Sequence, residues 1–394
     1  MVMTAAATLK PKHEQRILSG HLWIYQGNVA EVRGEPAPGD IIDVYSAGGQ
    51  FLGRGYYNPH SQICIRLLTR VDEPIDYAFF VERIRRARAW RRRFLPDATS
   101  FRLVYSEGDF LPGLIVDRYE DVLVVQFLTL GMDVRRELVV AALADVERPR
   151  AIYERSDVPA RKYEGLEPRT GLLWGELPEQ PMVIRENGLS FEIDVVQGQK
   201  TGYFLDQKEN RRSLAPLVPG ARVLDVFCHN GAFAVHALHY GAKEVTGVDS
   251  SAPALESARR NAALNGFGDA AQFVEANAFD YLRHLDRARE WFDVVILDPP
   301  AFAKSKDHFE PARRGYKEIN LRGLKIVEPG GFLVTCSCSH HMPADEFYRL
   351  VLEAAHDARR TLRLVEVRGQ AKDHPVLPGV PETSYLKCLV FQVF

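Results

Sequence analysis

The feature that most constrains the fold is a repeated alternation of short apolar runs and helical patterns in the second half of the chain. A strand followed by a helix is predicted three times, by ARVLDVFCHNGAFAVHAL, EVTGVDSSAPALESARRNAALNG and AAQFVEANAFDYLRHL. Two further strands are predicted by FDVVILDPPAFAKS and GGFLVTCSCS. Strands that alternate with helices favour a doubly wound, mostly parallel sheet, so we predict an α/β fold. In such sheets ligands bind at the carboxyl ends of the strands, near the point where the strand order reverses.

Two smaller patterns precede this region. Before residue 74, GDIIDVYSAGGQFLGRGYYNPHSQICIRLL alternates apolar and polar residues around glycine and Asn-Pro turns, which predicts a small β-barrel or β-roll. The next stretch predicts a small α+β domain with a helix over 76–95, two or three strands and a second helix around 133–146. A chain of 394 residues is long for one core. We therefore predict three domains, at 1–73, 74–185 and 186–394.

The first of these helices is rich in arginine. Asp76 is expected to cap its start, and Pro96 follows its end. Helical spacing predicts an apolar face made of Phe80, Ile84, Ala87, Trp90 and Phe94.

The first strand of the α/β region ends at Asp225 and leads into a glycine turn at Gly231. Small residues there let a ligand approach the backbone, and the following helix offers free N–H groups. The second strand ends at Asp249, where an acid typically binds ribose hydroxyls. Without a GxGxxG motif, the pattern favours a mononucleoside-like ligand such as S-adenosylmethionine, with Asn277 at the adenine edge. The alternative is an ordinary α/β turn with a capping aspartate.

The fourth and fifth strands end in chemically distinctive residues. Asp298 precedes two prolines, which end the strand pairing. Cys336 and Cys338 end the next strand and are followed by two histidines. A metal clip, a redox pair and buried structural thiols are alternatives, although a CxC pair alone has too few ligands for zinc. A nucleophilic thiol beside an acid and a methyl donor is the sharper interpretation.

The chemistry of that interpretation is coherent. Carbon-5 of a pyrimidine is a poor nucleophile, and a thiolate that adds to carbon-6 makes it enamine-like, so that it can attack a methyl group. Asp298 would hydrogen-bond the N3/N4 edge of the base and favour the addition. A base must then remove the proton from carbon-5.

Several motifs together resemble those of the large-ribosomal-subunit RNA cytosine-5 methyltransferase family, type I. They are LKPKHEQRILSGHLWIYQGNV, GDFLPGLIVDRYEDVLVVQF and GQKTGYFLDQKENR, followed by VLDVF, NGAF, GVDSS, DPPAF and TCSCS. The resemblance covers nearly the whole chain. It implies an N-terminal PUA domain, a central α+β domain and a Rossmann-like class I methyltransferase domain with a seven-stranded sheet.

The resemblance also implies a set of cofactor-binding residues for S-adenosylmethionine. They are Lys200, Gly202, Phe204, Asp206, Asp225, Phe227, Asn230, Gly231, Phe233, Asp249, Ser250, Asn277, Ala278 and Asp298. For residues 198–211 the alternative is a polar loop that leads into a helix.

Relatives of two kinds select different nucleophiles. Ser337-Cys338-Ser339 is similar to the Ser-Cys-Asn of uracil-5 RNA methyltransferases, which selects Cys338. Another group of RNA cytosine-5 methyltransferases has its nucleophile after a threonine, as in Thr335-Cys336, and a second cysteine where this chain has Ala301. We favour Cys338 as the nucleophile, with Cys336 a packing residue or a participant in product release.

Composition favours some cellular compartments and binding partners over others. Five cysteines argue against a disulfide framework and favour a reducing cytoplasm. There is no apolar run of the ~20 residues that span a bilayer, and we expect no signal peptide, membrane partner or metal. A net charge of −2 gives no general argument for nucleic acid, so that argument must be local.

The local argument rests on arginines. Arg85, Arg88 and Arg92 of the predicted helix, extended by Arg54, are expected to contact RNA phosphates, and the alternative is a solvated helix face. The expected reaction is methylation of cytosine C5 in 23S rRNA, free or in a large-subunit assembly particle. Methylation of uracil C5 or an exocyclic amine is the first alternative, and a non-catalytic RNA-binding assembly factor is the second. The sequence leaves the oligomeric state open, with a homodimer considered.

Overall fold

The computed structural model describes residues 5–302 and 309–394. The chain forms two compact units. The first contains the chain up to Ile184, with Ile193–Leu205 and Lys372–Thr383. The second contains Arg185–Glu192, Asp206–Ala371 and Ser384–Phe394.

The first unit begins with a β-rich region, as the alternating pattern predicts. Its strands and short helix are β1 (Ala6–Leu9), α1 (Gln15–Leu18), β2 (Trp23–Ile24), β3 (Val29–Arg33), β4 (Ile41–Tyr45), β5 (Phe51–Tyr57) and β6 (Ile65–Thr69). The described strands form a sheet of order β2-β6-β5-β4-β1-β3. Alternate side chains such as Leu9, Val44 and Leu67 point into a common apolar core.

The arginine-rich helix is α2 (Tyr77–Phe94), and the Asp76 side chain caps it by accepting from the Phe79 N–H at 3.0 Å. The predicted helix is confirmed, but its predicted buried face is partly wrong. Trp90 and Phe94 are 43% and 38% exposed, and Arg91 is buried instead. After Ala87 the next buried position of the helix is residue 91, four residues further on, rather than residue 90, three residues further on. Arg91 is tolerated there because Asp109 accepts from both of its terminal nitrogens.

A second sheet of the first unit packs against α2. Its elements are β7 (Ser100–Tyr105), β8 (Leu114–Tyr119), β9 (Val122–Phe127), α3 (Leu130–Asp133), α4 (Arg136–Glu147), β10 (Ala151–Ser156) and β11 (Arg169–Gly175). The order is β11-β10-β9-β8-β7. Ile84 of α2 and Leu143 of α4 share one apolar cluster with Leu103 of β7. Two strands, β12 (Met182–Glu186) and β13 (Leu189–Ile193), form a separate pair.

The second unit is the predicted α/β region. Its elements are α5 (Lys208–Arg212), β14 (Arg222–Val226), α6 (Ala232–His239), β15 (Glu244–Asp249), α7 (Ala252–Leu264), β16 (Ala271–Glu275), α8 (Ala278–Ala288), β17 (Phe292–Leu297), α9 (Phe309–Lys325), β18 (Val327–Ser337), α10 (Ala344–Ala358), β19 (Leu362–Arg368) and β20 (Lys387–Val393).

The strands of this unit form one mostly parallel sheet, which confirms the prediction. In the described part of the chain its seven strands have the order β16-β15-β14-β17-β18-β20-β19. Strand β20 alone among them runs antiparallel to its neighbours β18 and β19. The order reverses between β14 and β17, which are paired so that Val226 lies opposite Leu297. The predicted ligand position is therefore at the ends of these two strands.

Candidate active site

Three carboxylates lie at the ends of neighbouring parallel strands. Asp225 is in β14, Asp249 ends β15, and Asp298 directly follows β17, where its N–H donates to the Val226 carbonyl at 3.4 Å. Burial raises the pKa of Asp225 to about 8, and the charges of Asp298 and Asp249 act in the same direction. Asp225 is therefore neutral at neutral pH, and this sheet edge offers a ligand the hydrogen-bonding oxygens of its carboxyl groups.

Beside the glycine turn that follows β14, one oxygen atom of the Asp225 carboxyl group lacks a hydrogen-bond partner among the described residues. Asp225 Oδ2 accepts from the Ala234 N–H at 3.0 Å. Its Oδ1 is buried and has no hydrogen-bond partner in the described part of the chain. Gly231 has φ +74°, and a Cβ there would lie 3.0 Å from the Ala258 Cβ. A side chain at residue 231 would therefore be strained and crowded, so the turn needs glycine.

Asp249 is oriented by the backbone. Its Oδ2 accepts from the His229 N–H at 2.9 Å, and its Oδ1 accepts from the Ser251 N–H at 3.0 Å. Each carboxylate oxygen keeps a second lone pair, which suits the hydroxyls of a ribose. Ser250 is exposed beside it.

Asn277 and Ala278 start α8. The Asn277 Oδ1 caps the helix by accepting from the N–H groups of Phe279 and Asp280, at 3.0 and 3.3 Å. Its amide NH₂ is a donor on the other side of the group. Ala278 is buried, and its N–H belongs to the first turn, where helices leave N–H groups without intrahelical partners.

Three other expected cofactor residues surround the glycine turn. Phe227 has φ +66° and is partly buried. Asn230 is buried, and its carbonyl accepts from the Asn261 side chain at 3.0 Å. Phe233 belongs to the apolar core under the sheet, with the Arg211 guanidinium 5.7 Å from its ring. Phe233 therefore supports the turn from below.

The segment 198–205 belongs to the first unit. Its Thr201 hydroxyl donates to Asp117 of β8 at 2.6 Å, and the Tyr203 N–H donates to the Tyr119 hydroxyl at 3.1 Å. Lys200 lies over the Phe204 ring at 4.3 Å. Gly202 has φ +132°, which favours glycine. Asp206 belongs to the second unit, where it is buried and accepts from the Tyr385 hydroxyl at 2.5 Å.

The two cysteines after Thr335 differ in their surroundings. Cys338 lies just beyond β18, is partly exposed, and has its Sγ 3.9 Å from the Pro299 carbonyl oxygen. Cys336 is 0% exposed and lies opposite Cys388 of β20. A hydrogen bond with the Cys388 thiol, and then burial, raise the pKa of Cys336 well above its usual value. The thiol of Cys336 therefore stays protonated.

Sequence reasoning missed Lys387, the first residue of β20. Its Nζ donates to the carbonyl oxygens of Ser339 and Tyr385, at 2.6 and 2.7 Å. The signal was a single lysine inside the otherwise apolar run YLKCLVF. Tyr316 of α9 was missed as well, and its hydroxyl is 2.8 Å from the Ser339 Oγ.

The arginines predicted to contact RNA fall into two groups. Arg54 is bound to Asp43 and Asp72, at 2.6 and 2.8 Å, and is largely buried. Arg88 is bound to Glu147, at 3.3 Å, and donates to the Val146 carbonyl. These two guanidinium groups are already compensated.

Arg85 and Arg92 are exposed and form no ion pair with any described residue. With Arg88 and Arg148 they line a cleft of about 560 Å³ that also exposes Asp145. Tyr56 of β5 is buried and does not present its ring to RNA, and its hydroxyl donates to the Pro112 carbonyl. In this cleft, positive charge that is not paired with a described carboxylate therefore lies on only a few arginine side chains.

The described residues limit two other functions. No helix among them has the length and apolar character needed to cross a membrane. Within the same ranges, no three His, Cys, Asp or Glu side chains form a group suited to a metal ion.

Comparisons with known proteins define the class. Residues 160–392 match the family model described as S-adenosylmethionine-dependent methyltransferase, and residues 7–70 match the model of PUA-like domains. The predicted fold class, enzyme class and cofactor are confirmed. The described geometry fits this cofactor, since the orphaned Asp225 oxygen and the lone pairs of Asp249 can bind its polar groups, and Gly231 keeps the turn open.

Relatives that match over the full length of the chain define a narrower family within this class. Ribosomal RNA large subunit methyltransferase I of Alteromonas mediterranea is 43% identical over 395 residues, which are 99% of each chain. The protein of the same name from Shewanella denitrificans is 44% identical over 397 residues, 100% of each chain. The chain belongs to the ribosomal RNA large subunit methyltransferase I family.

A solved structure shows the same fold. It is that of a Streptococcus mutans protein assigned to the S-adenosylmethionine-dependent methyltransferases, with a TM-score of 0.84 and 22% identity. The match covers 98% of this chain and 99% of the other. At this identity the likeness concerns the fold alone.

Proposed function

We propose that the protein methylates C5 of a cytosine in 23S ribosomal RNA through a covalent bond between Cys338 and C6 of the base. The observation that carries the proposal is the partly exposed Cys338 thiol beside the turn that follows Asp298. The names of the full-length relatives support ribosomal RNA as the substrate. Such a substrate implies action in the cytoplasm of bacteria like those relatives.

S-Adenosylmethionine, when bound, supplies an electrophilic methyl group on a sulfonium. The chain's residues hold it by complementary chemistry. Asp225 and Asp298 would offer carboxyl oxygens at the switch point, and Asp249 has free lone pairs for the ribose hydroxyls. Asn277 and the N–H of Ala278 are donors for the adenine edge. Residues 200, 202, 204 and 206 stay proposed cofactor contacts.

The reaction begins when the Cys338 thiolate adds to C6 of the cytosine. A new S–C6 bond forms, and the electron pair of the C5–C6 double bond moves toward C5 and N3. Asp298, in its protonated form, donates a hydrogen bond to N3 and stabilises the negative charge that develops there. C5 would then be the nucleophile toward the methyl group that the bound cofactor supplies, with the methyl–sulfur bond breaking as the C5–methyl bond forms.

Release of the product requires removal of the proton from C5 and cleavage of the S–C6 bond. A base takes the proton from C5, the electron pair re-forms the C5–C6 double bond, and the S–C6 bond breaks. Cys338 returns as a thiolate. Since a base inside an RNA stem cannot reach the thiol, the target nucleotide must be unpaired or flipped out.

The difference between the two thiols supports Cys338 as the nucleophile. Cys336 is buried in the sheet, and its raised pKa keeps it in the unreactive thiol form. Its side chain packs in the apolar cluster with Cys388 and Val390. A packing role for Cys336 therefore agrees with its surroundings better than attack on a base.

Ribosomal RNA from cells that lack the gene tests the proposal. The RNA is incubated with the protein and methyl-labelled S-adenosylmethionine, digested to nucleosides and analysed by mass spectrometry. We expect label in 5-methylcytidine, at one position of 23S rRNA. Label in 5-methyluridine or in an N-methylated nucleoside would assign a different reaction, and binding without any label would favour an assembly factor.

A further inference from the structure

Lys387 is a buried cation that has no role in the reaction steps proposed above. It is 9% exposed, and no described carboxylate forms an ion pair with it. Its two hydrogen bonds go to backbone carbonyls, those of Ser339 and Tyr385. Burying an ammonium without a carboxylate partner is costly, so a fold retains one where its charge is useful.

The position of Lys387 is set by the sheet. It lies opposite Ser337 in the antiparallel pair of β18 and β20. The side chains of directly opposed residues lie on the same face of a sheet. Its Nζ reaches one residue beyond Cys338, to the Ser339 carbonyl. The ammonium therefore fixes the backbone of the short segment that carries the partly exposed Cys338 thiol.

The two groups also interact electrostatically. Burial lowers the pKa of Lys387 to about 8, and the charge of Cys338 opposes that shift. Such an interaction is mutual, because the cation that a thiolate stabilises also stabilises the thiolate. Thiolates beside lysine are favoured in this way in other proteins.

Other titratable groups near the thiol have different effects. Tyr316 of α9 interacts with the charge of Cys338, but burial raises the pKa of Tyr316, so it stays neutral. Asp298, which follows β17, is an acidic residue and supplies no positive charge to a thiolate. His340, the second residue after Cys338, stacks on the Tyr385 ring at 5.1 Å. Lys387 is the cation whose charged form the charge of Cys338 favours.

We propose that Lys387 is a positioning residue that holds the Cys338 segment and stabilises the thiolate that attacks the base. The inference rests on the proposed function for its use in the reaction. The proton equilibrium that it describes exists without RNA or methyl donor, and can be measured separately.

The test is the pH profile of Cys338 alkylation in the full-length protein. Iodoacetamide is added between pH 5 and pH 10, and modification of the Cys338 peptide is followed by mass spectrometry. The other cysteines are buried and serve as internal references. In the native sequence we expect half-maximal reactivity clearly below the ordinary thiol pKa of about 8.5. Half-maximal reactivity at or above that value would overturn the inference without any variant.

Two variants then assign the effect. Lys387→Met keeps the length of the side chain and removes the charge, and we expect its profile to shift upward by about one pH unit, a roughly tenfold loss of rate at neutral pH. Lys387→Arg keeps the charge and should retain the native profile. An unchanged profile in a folded Lys387→Met protein, checked by circular dichroism, would contradict a role in thiolate stabilisation.

The outcomes separate this inference from the proposed function. If Cys338→Ala still methylates cytosine, covalent catalysis fails whatever the alkylation profile shows. If Cys338→Ala is inactive and Lys387→Met has the native profile, the role of Lys387 alone fails.

Discussion

The Sγ of Cys338 lies 3.9 Å from the carbonyl oxygen of Pro299. The two residues follow the neighbouring parallel strands β18 and β17, whose register places Thr335 opposite Leu297. The sheet therefore brings the thiol to the turn that begins with Asp298, although 39 residues separate Cys338 and Pro299 in sequence. The proposed nucleophile and the proposed acid are positioned by strands rather than by a long loop, which suits a site that must hold a precise geometry.

Replacing each cysteine by alanine separates the two thiols. Cys338→Ala removes the proposed nucleophile, so we expect single-turnover methylation to fall by about 10³-fold or more. Cys336→Ala removes a buried thiol, so we expect methylation to persist and the free energy of unfolding to fall by about 1 kcal/mol. Rapid-quench assays and denaturant unfolding of both variants give the two readouts. The opposite pattern, with Cys336→Ala inactive and Cys338→Ala active, would exchange their roles.

Asp225 should make stability depend on pH. Its pKa is raised to about 8 in the folded protein, against about 3.9 in an unfolded chain. Between these values the folded state holds a proton that the unfolded state has lost, so the contribution of Asp225 to stability falls as pH rises from about 4 to about 8.

Asp225→Asn removes that dependence. Relative to the native protein, we expect the variant to gain stability steadily between pH 5 and pH 8 and to gain nothing more above that range. Urea unfolding at closely spaced pH values measures the difference. A difference that stays constant across this range would show that Asp225 is ionised in the folded protein.

Gly231 and Gly220 form a matched pair. Both have φ +74°, but a Cβ at Gly231 would meet Ala258, whereas a Cβ at Gly220 would meet no atom within 4 Å. Alanine at either position should cost about 1–2 kcal/mol of backbone strain. Gly231→Ala should in addition weaken S-adenosylmethionine binding in calorimetry, and Gly220→Ala should not. Equal affinities in the two variants would remove Gly231 from the cofactor site.

The exposed arginines Arg85 and Arg92 are expected to bind RNA phosphates. Reversing both charges, in Arg85→Glu and Arg92→Glu, should weaken RNA binding and reduce the slope of log affinity against log salt by about one for each phosphate that is no longer neutralised. Arg349→Glu is a control, since Arg349 is an exposed arginine of α10 that already pairs with Asp345. If the double variant keeps the native slope in filter-binding assays, the helix face is merely solvated.

Much of the site could be predicted because it depends on local patterns. Apolar runs that end in Asp225, Asp249 or Asp298 predict both the strands and the edge at which they end. Parallel pairing then brings those ends together without further information. The seven-stranded sheet follows that prediction closely.

What could not be predicted depends on distant partners. Cys336 is buried because β20, about fifty residues later, lies against it. The same strand brings Lys387 to the thiol segment. Arg54 looks available for RNA in sequence, yet Asp43 and Asp72 compensate it in the fold. The buried Arg91 depends on Asp109 in the same way. The two domain boundaries, at 73/74 and 185/186, stay predictions.

A covalent trap tests the central claim most directly. In a 23S rRNA substrate that contains 5-fluorocytosine, C5 carries fluorine in place of the proton that a base would remove, so the bond between enzyme and C6 cannot break after methyl transfer. We predict a denaturation-resistant protein–RNA complex that requires S-adenosylmethionine and whose peptide map places the crosslink on Cys338. A crosslink on Cys336, or methylation of unmodified rRNA with no trapped complex on the fluorinated substrate, would contradict it.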